Sequence, residues 1–181
     1  GYAHYLLGFS RQMDSRHAEA LEPLRAAVEL SPRVGRYRSR LAISLLETGA
    51  KDEARAEIER AVPLAPEVPL VLDEAARVYS SIGEDDLAER FARDSLSKRP
   101  DTVDAHWRLS WVLGRRKNYA GAIEFARAAI AIAPNHWASW DELAHSLYQS
   151  GDYDACEKAC IEALRLIRRH GKSVRHLRFD E

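Results

Sequence analysis

The chain has 181 residues, of which 46% are apolar and 30% charged, with 27 basic side chains against 28 acidic ones. The formal net charge of -1 supplies no long-range pull toward nucleic acid or an anionic membrane, and no run of 18 apolar residues marks a membrane span. Two cysteines, Cys156 and Cys160, are too few for a disulfide framework, and their spacing on one helix places them badly to bridge.

Apolar spacing and turn residues predict ten helices, near 2–13, 17–30, 36–47, 51–63, 69–81, 85–98, 103–116, 119–132, 137–149 and 153–169. The opening Gly1-Tyr2-Ala3-His4 has neither an initiator Met nor a basic-then-apolar leader, which reads as a segment of a longer chain. In the second helix Pro23 is expected to produce a kink, with its ring against the carbonyl of Glu19. Gly49, Gly83 and Gly151 fall between paired helices, where a residue at positive φ ends a helix at low cost. Asp101 and Asn135 each follow a proline and suit an N-cap. In the eighth helix Ala122, Ala126, Ala129, Ile130 and Ala133 form one apolar stripe.

The helices belong to a longer period. Pro32, Pro66, Pro100 and Pro134 are spaced by 34 residues, and a constant period of this size marks a repeat architecture. Placing each proline at position 32 gives units 1–34, 35–68, 69–102, 103–136 and 137–170, with a tail of 171–181. Other columns keep the same phase. Position 20 reads Ala20, Ala54, Ala88, Ala122, Cys156, and position 27 reads Ala27, Ala61, Ser95, Ala129, Ala163. Position 8 is small throughout (Gly8, Ala42, Ala76, Ser110, Ala144), and position 7 is apolar (Leu7, Leu41, Ala75, Leu109, Leu143).

These columns resemble the tetratricopeptide repeat family, with Trp140, Leu143 and Ala144 at the family's places in the fifth unit and Tyr79 at its tyrosine place in the third. The resemblance implies an all-α, right-handed superhelical solenoid of five helix-turn-helix units, with 171–181 as a basic tail or partial cap over Leu164 and Ile167. Departures sit at Arg11, a core place, at Arg38, His4 and His106, the tryptophan place, and at Arg168, which stands where the other units have proline.

In the family, positions 2, 5, 9, 12 and 13 of the first helices line a concave groove. The resemblance therefore implies a lining that includes Tyr2, Tyr5 and Phe9, then Arg36 with Arg40, then Asp73 and Arg77. It continues with Asp104, Trp107, Trp111 and Arg115 with Arg108 beside them, then His145 and Tyr148. Aromatic and Arg side chains together are the usual makeup of a protein-binding hot spot. The expected function is a scaffold holding a peptide or partner segment; the alternatives are the scaffold region of a larger enzyme such as a transferase, or a self-assembly element.

Each group has a plainer reading beside the functional one. The stripe Tyr2, Tyr5, Phe9 and Met13 is either a pocket, a self-pairing face, or ordinary packing. Trp107 and Trp111 are either a platform for an aromatic or an Arg, or filler between helices. The arginines either grip a partner's carboxylate or pair locally, Asp73 with Arg77 and Asp104 with Arg108. Asp141 and His145 are too few to hold a metal, and Cys156 and Cys160 take small core places as buried thiols. The basic end from Arg165 to Arg178 is either helix-dipole compensation and a solvated tail, or a site for an acidic or nucleic-acid partner, with the balanced net charge favouring the first. No phosphate loop or Gly-x-Ser-x-Gly turn occurs, so no enzyme activity, cofactor or metal is expected, and nucleic acid is not the expected partner. Location is read as cytoplasmic, or periplasmic if a leader was removed.

Overall fold

The computed structural model describes residues 1–169, and among them every regular element is an α-helix. Ten helices follow in order: α1 (Tyr2–Met13), α2 (His17–Leu30), α3 (Gly35–Glu47), α4 (Lys51–Leu64), α5 (Pro69–Ser81), α6 (Asp85–Lys98), α7 (Val103–Arg115), α8 (Tyr119–Ile132), α9 (Trp137–Ser150) and α10 (Tyr153–Arg169). They fall into two compact units, one of Gly1–Lys98 and a second that begins at Arg99. Within each unit the neighbours are successive hairpins, α1 with α2, α3 with α4 and α5 with α6 in the first, α7 with α8 and α9 with α10 in the second. The anticipated cap formed by 171–181 lies outside the described residues.

The small-residue columns explain how the helices of one hairpin come together. Positions 8, 20 and 27 are buried in all five repeats. At Gly8 a Cβ would stand 2.5 Å from Leu24 Cγ, and at Gly35 it would stand 2.7 Å from the carbonyl oxygen of Ala61. Larger side chains therefore cannot enter without separating α1 from α2, or α3 from α4. Where position 8 is Ser110, its hydroxyl donates to the Ala122 carbonyl at 2.7 Å across the same kind of approach.

All five first helices end alike. The residue at position 15 takes positive φ, with Gly49, Gly83 and Gly151 at 88°, 86° and 85°, and Ser15 and Lys117 at 58° and 61°. Each closes the paired 5→2 and 6→1 backbone bonds of a Schellman motif, as in Lys117 N to Gly114 O at 3.0 Å and Asn118 N to Leu113 O at 2.9 Å. Because an L side chain is strained in this region, Lys117→Gly is expected to raise stability by about 0.5–1 kcal/mol in a chemical denaturation series. A loss of stability would show that the Lys117 side chain compensates its own backbone strain.

The expected N-caps at Asp101 and Asn135 do not form. The residues before α7 and α9 are Thr102 and His136, one further on. Backbone closes the turn instead, His136 N donating to Ala133 O at 3.0 Å, so the helix starts after the Asn rather than at it. Side-chain caps occur on second helices, where Asn118 Oδ1 accepts from Gly121 N at 3.2 Å and Asp152 Oδ1 from Ala155 N at 3.1 Å.

Two of the sequence's departures answer each other. α2 continues through Pro23, which is buried and has no N–H to give the Glu19 carbonyl. The Arg11 guanidinium reaches across from α1 and donates to that same carbonyl oxygen at 2.5 Å. Arg38, standing at the tryptophan place, is explained in the same way. Trp140 Nε1 donates to the Pro134 carbonyl at 2.9 Å, and Arg38 Nε donates to the Pro32 carbonyl at 3.1 Å. Both side chains bring a planar N–H donor to the carbonyl that ends the preceding repeat.

Candidate partner-binding faces

In the first unit the expected lining is largely consumed by contacts between repeats. Tyr5 is buried and stacks on Tyr37 of α3 with ring centres 4.7 Å apart, while Phe9 lies 6.1 Å beyond Tyr5. The Arg36 guanidinium sits 5.6 Å from the Tyr5 ring and that of Arg40 sits 4.7 Å from the Phe9 ring. Arg40 Nε also lies 3.1 Å from Glu74 Oε1 on α5. One line of side chains, Phe9, Arg40 and Glu74, thus joins three successive first helices. Gln12 adds to it from α1, donating at 2.7 Å both to the Arg40 carbonyl and to the Ser44 hydroxyl.

The pairings differ from the local ones that spacing suggests. Arg77 pairs with Glu47 of α3 at 2.5 Å, across repeats rather than along its own helix. Asp73 is buried beside Glu74 in α5. Burial raises the Glu74 carboxyl above its ordinary value, and the nearby Arg40 charge opposes the rise. Burial likewise lowers the His17 imidazole on α2, with Glu47 opposing it and Arg77 reinforcing it. Of the residues named for this unit, Tyr2 and Arg36 are exposed, and Met13 in the same stripe is also open.

The second unit keeps its aromatic groups nearer the surface. Trp107, Arg108 and Trp111 are all half-buried on α7. The Arg108 guanidinium lies 4.5 Å from the Trp107 ring and 5.4 Å from the Trp111 ring. The seat that two tryptophans offer to a cation is therefore filled by the chain's own arginine. His136, a residue the sequence did not single out, meets Trp107 edge-on at 5.9 Å and shares a 2.7 Å hydrogen bond with the Ser139 hydroxyl. It ties α7 to the start of α9. Asp104 and Arg115 are exposed on α7; on α9 His145 is half-buried and Tyr148 is exposed, with Tyr153 edge-on at 5.7 Å.

Among the described residues no group of three His, Cys, Asp or Glu side chains is placed to hold a metal, and no helix is long and apolar enough to cross a membrane. Cys156 and Cys160 lie 3.9 Å apart as free thiols, and burial pushes the Cys160 thiol up to about 11, with the neighbouring Cys156 adding to it. A thiol held that high is a poor nucleophile at neutral pH. Trp140 packs against the core of Ala126, Leu143 and Leu147, as its place in the repeat implies. The basic end lies mostly beyond the described residues; within them Arg165 pairs with Glu162 at 2.7 Å.

An array of helical hairpins in one phase, with small residues at the crossings and aromatic and Arg groups on its first helices, defines the class of all-α repeat scaffolds. The tetratricopeptide repeat profile matches residues 13–69 and 73–136, and a second tetratricopeptide repeat profile matches 138–170; the chain belongs to this family. Solved structures agree in fold. A thermophilic TPR protein of Thermus thermophilus, TTC0263, is similar with a TM-score of 0.82 at 17% identity, over 91% of this chain and 90% of that one. PilF of Pseudomonas aeruginosa gives 0.76 at 19% identity over 90% and 74%, and MamA of Desulfovibrio magneticus gives 0.72 at 15% over 93% and 95%. No curated protein matches the sequence.

Proposed function

We propose that the chain is a binding scaffold without catalytic chemistry of its own, and that the α7–α9 face takes an extended segment of a partner protein. The observation that carries this reading is the half-exposed stack of Trp107, Arg108 and Trp111. Rigid aromatic faces give contact area at a small entropic cost, and the guanidinium stacked between the two indoles holds them in place. The first unit supports the choice by contrast, since its Tyr5 is buried against Tyr37 while both indoles of α7 stay half-exposed. His145, Tyr148, Asp104 and Arg115 then set orientation rather than affinity, while Tyr2 and Arg36 remain an open secondary face.

Because Trp107 and Trp111 are only half-buried, the Trp107→Ala/Trp111→Ala variant is expected to keep the wild-type helical circular dichroism and a cooperative melt. In a side-by-side pull-down its yield of specific partner should fall by at least about tenfold. A variant that unfolds, or that captures the same proteins as wild type, overturns the assignment of this face.

A further inference from the structure

Contacts inside the chain show how one repeat receives the next. α3 packs on α1 and α2, α5 on α3 and α4, and α9 on α7 and α8. The Arg40–Glu74 pair and the Gln12–Ser44 bond place positions 6 and 10 of a first helix on the side that meets the preceding hairpin. At 100° per residue, positions 3 and 7 share that side. On α5 these are Val71, Glu74, Ala75 and Val78, and on α9 they are Ser139, Glu142, Leu143 and Ser146; all eight are buried. On α1 the same four places are Ala3, Leu6, Leu7 and Ser10, and all four are exposed. Position 6 is charged in every other repeat and apolar only here.

The opposite end carries the complement. Position 25 of a second helix faces the following repeat, since Arg25 reaches Glu53 at 2.9 Å. Arg25 and Val28 line one cavity with Leu41 and Leu45 of the repeat that follows. Position 25 is charged in four repeats (Arg25, Glu59, Arg93, Arg127) and is Ile161 in the fifth, 56% exposed. Leu164, half-buried, stands beside it at the place of Val28. The first and the fifth repeat have thus each exchanged a charge for an exposed aliphatic side chain on the face that the middle repeats bury.

We infer that a second copy of this chain docks its last hairpin on α1, with Ile161 and Leu164 meeting Leu7 as Arg25 and Val28 meet Leu41 within the chain. The two surfaces differ, so the contact is head-to-tail. This moves self-pairing from the aromatic stripe, where Tyr5 is buried, to the aliphatic one beside it, and it stands independently of the α7–α9 face.

Sedimentation velocity of the 181-residue chain from micromolar to millimolar concentration tests it. The weight-average mass should rise past two copies without a plateau. Leu7→Arg and Ile161→Arg alter exposed residues and are expected to keep the wild-type circular dichroism; each should be monomeric alone, and an equimolar mixture should form a dimer that grows no further. A wild type that stays monomeric throughout overturns the inference, as it would if residues 170–181 or another segment occupies either face. A closed dimer that Ile161→Arg leaves intact overturns it too, because α1 would then pair with itself.

Discussion

Arg40→Met should destabilise the protein by about 3 kcal/mol at neutral pH, measured by urea denaturation, because it strands a carboxylate in the interior. Glu74 is among the most buried charged groups of the first unit, and Arg40 is the cation that touches it. The methionine keeps an aliphatic stem and removes the guanidinium that meets both Glu74 and the Phe9 ring. Burial already holds the Glu74 carboxyl above its ordinary value of 4.5, so the folded state binds its proton more readily than the unfolded state does. The stability owed to this group is therefore full below the ordinary carboxylate range and declines as pH rises through the raised value. Loss of Arg40 removes the charge that opposed the rise, which extends the window upward. The deficit of the variant should be largest at neutral and alkaline pH and shrink in mild acid, where Glu74 is protonated. Replacing both partners, Arg40→Met with Glu74→Leu, should come within about 1 kcal/mol of wild type, since neither charge of the pair is left unanswered. A single variant that loses less than about 1 kcal/mol at every pH would show that Glu74 draws its charge balance from elsewhere.

The pair also explains how far residue types alone could be read. The period of 34, the small columns and the positive-φ turns are properties of one repeat, and each is repeated five times, so chance variation averages out. Helix limits accordingly came within a residue or so of those found, and Gly49, Gly83 and Gly151 sit where the turn demands them. What joins one repeat to the next is written differently at each junction. Arg40 with Glu74, Arg77 with Glu47 and Tyr5 with Tyr37 occur once each, between residues about one period apart. Spacing along one helix points instead to Asp73 for Arg77 and to Asp104 for Arg108, and the structure shows Arg77 on Glu47 and Arg108 on two indoles. Comparing the same position in adjacent repeats would have found the Arg40–Glu74 pair, for position 6 alternates Arg40, Glu74, Arg108, Glu142. Nothing comparable announces His136, whose contact with Trp107 depends on how the turn before α9 closes. Arg38 was legible only as a departure, because its kinship to tryptophan lies in the donor it carries and not in its polarity.

Arg11 and Pro23 present the same lesson as a measurable coupling. Either residue alone looks like a defect, a charge at a core place and a proline in mid-helix. Together they satisfy one carbonyl, for the proline withholds a donor from Glu19 and the guanidinium supplies it. Arg11→Ala should cost about 2 kcal/mol in the wild-type background, the usual worth of a hydrogen bond from a charged donor to a group that has no other within its helix. In a Pro23→Ala background the amide of residue 23 is restored to the helical ladder, and the same substitution should cost a few tenths of a kcal/mol at most. The cycle isolates the interaction from two effects that would blur either single change, the lost packing of the buried proline ring and the lost stem of the arginine, because each appears in both arms and cancels. Additive costs would mean that Arg11 acts through its stem alone, and that α2 bears the proline by some other adjustment of its backbone. A coupling of more than about 1 kcal/mol would mark the pair as one unit, in which the proline can be kept only while the arginine is there.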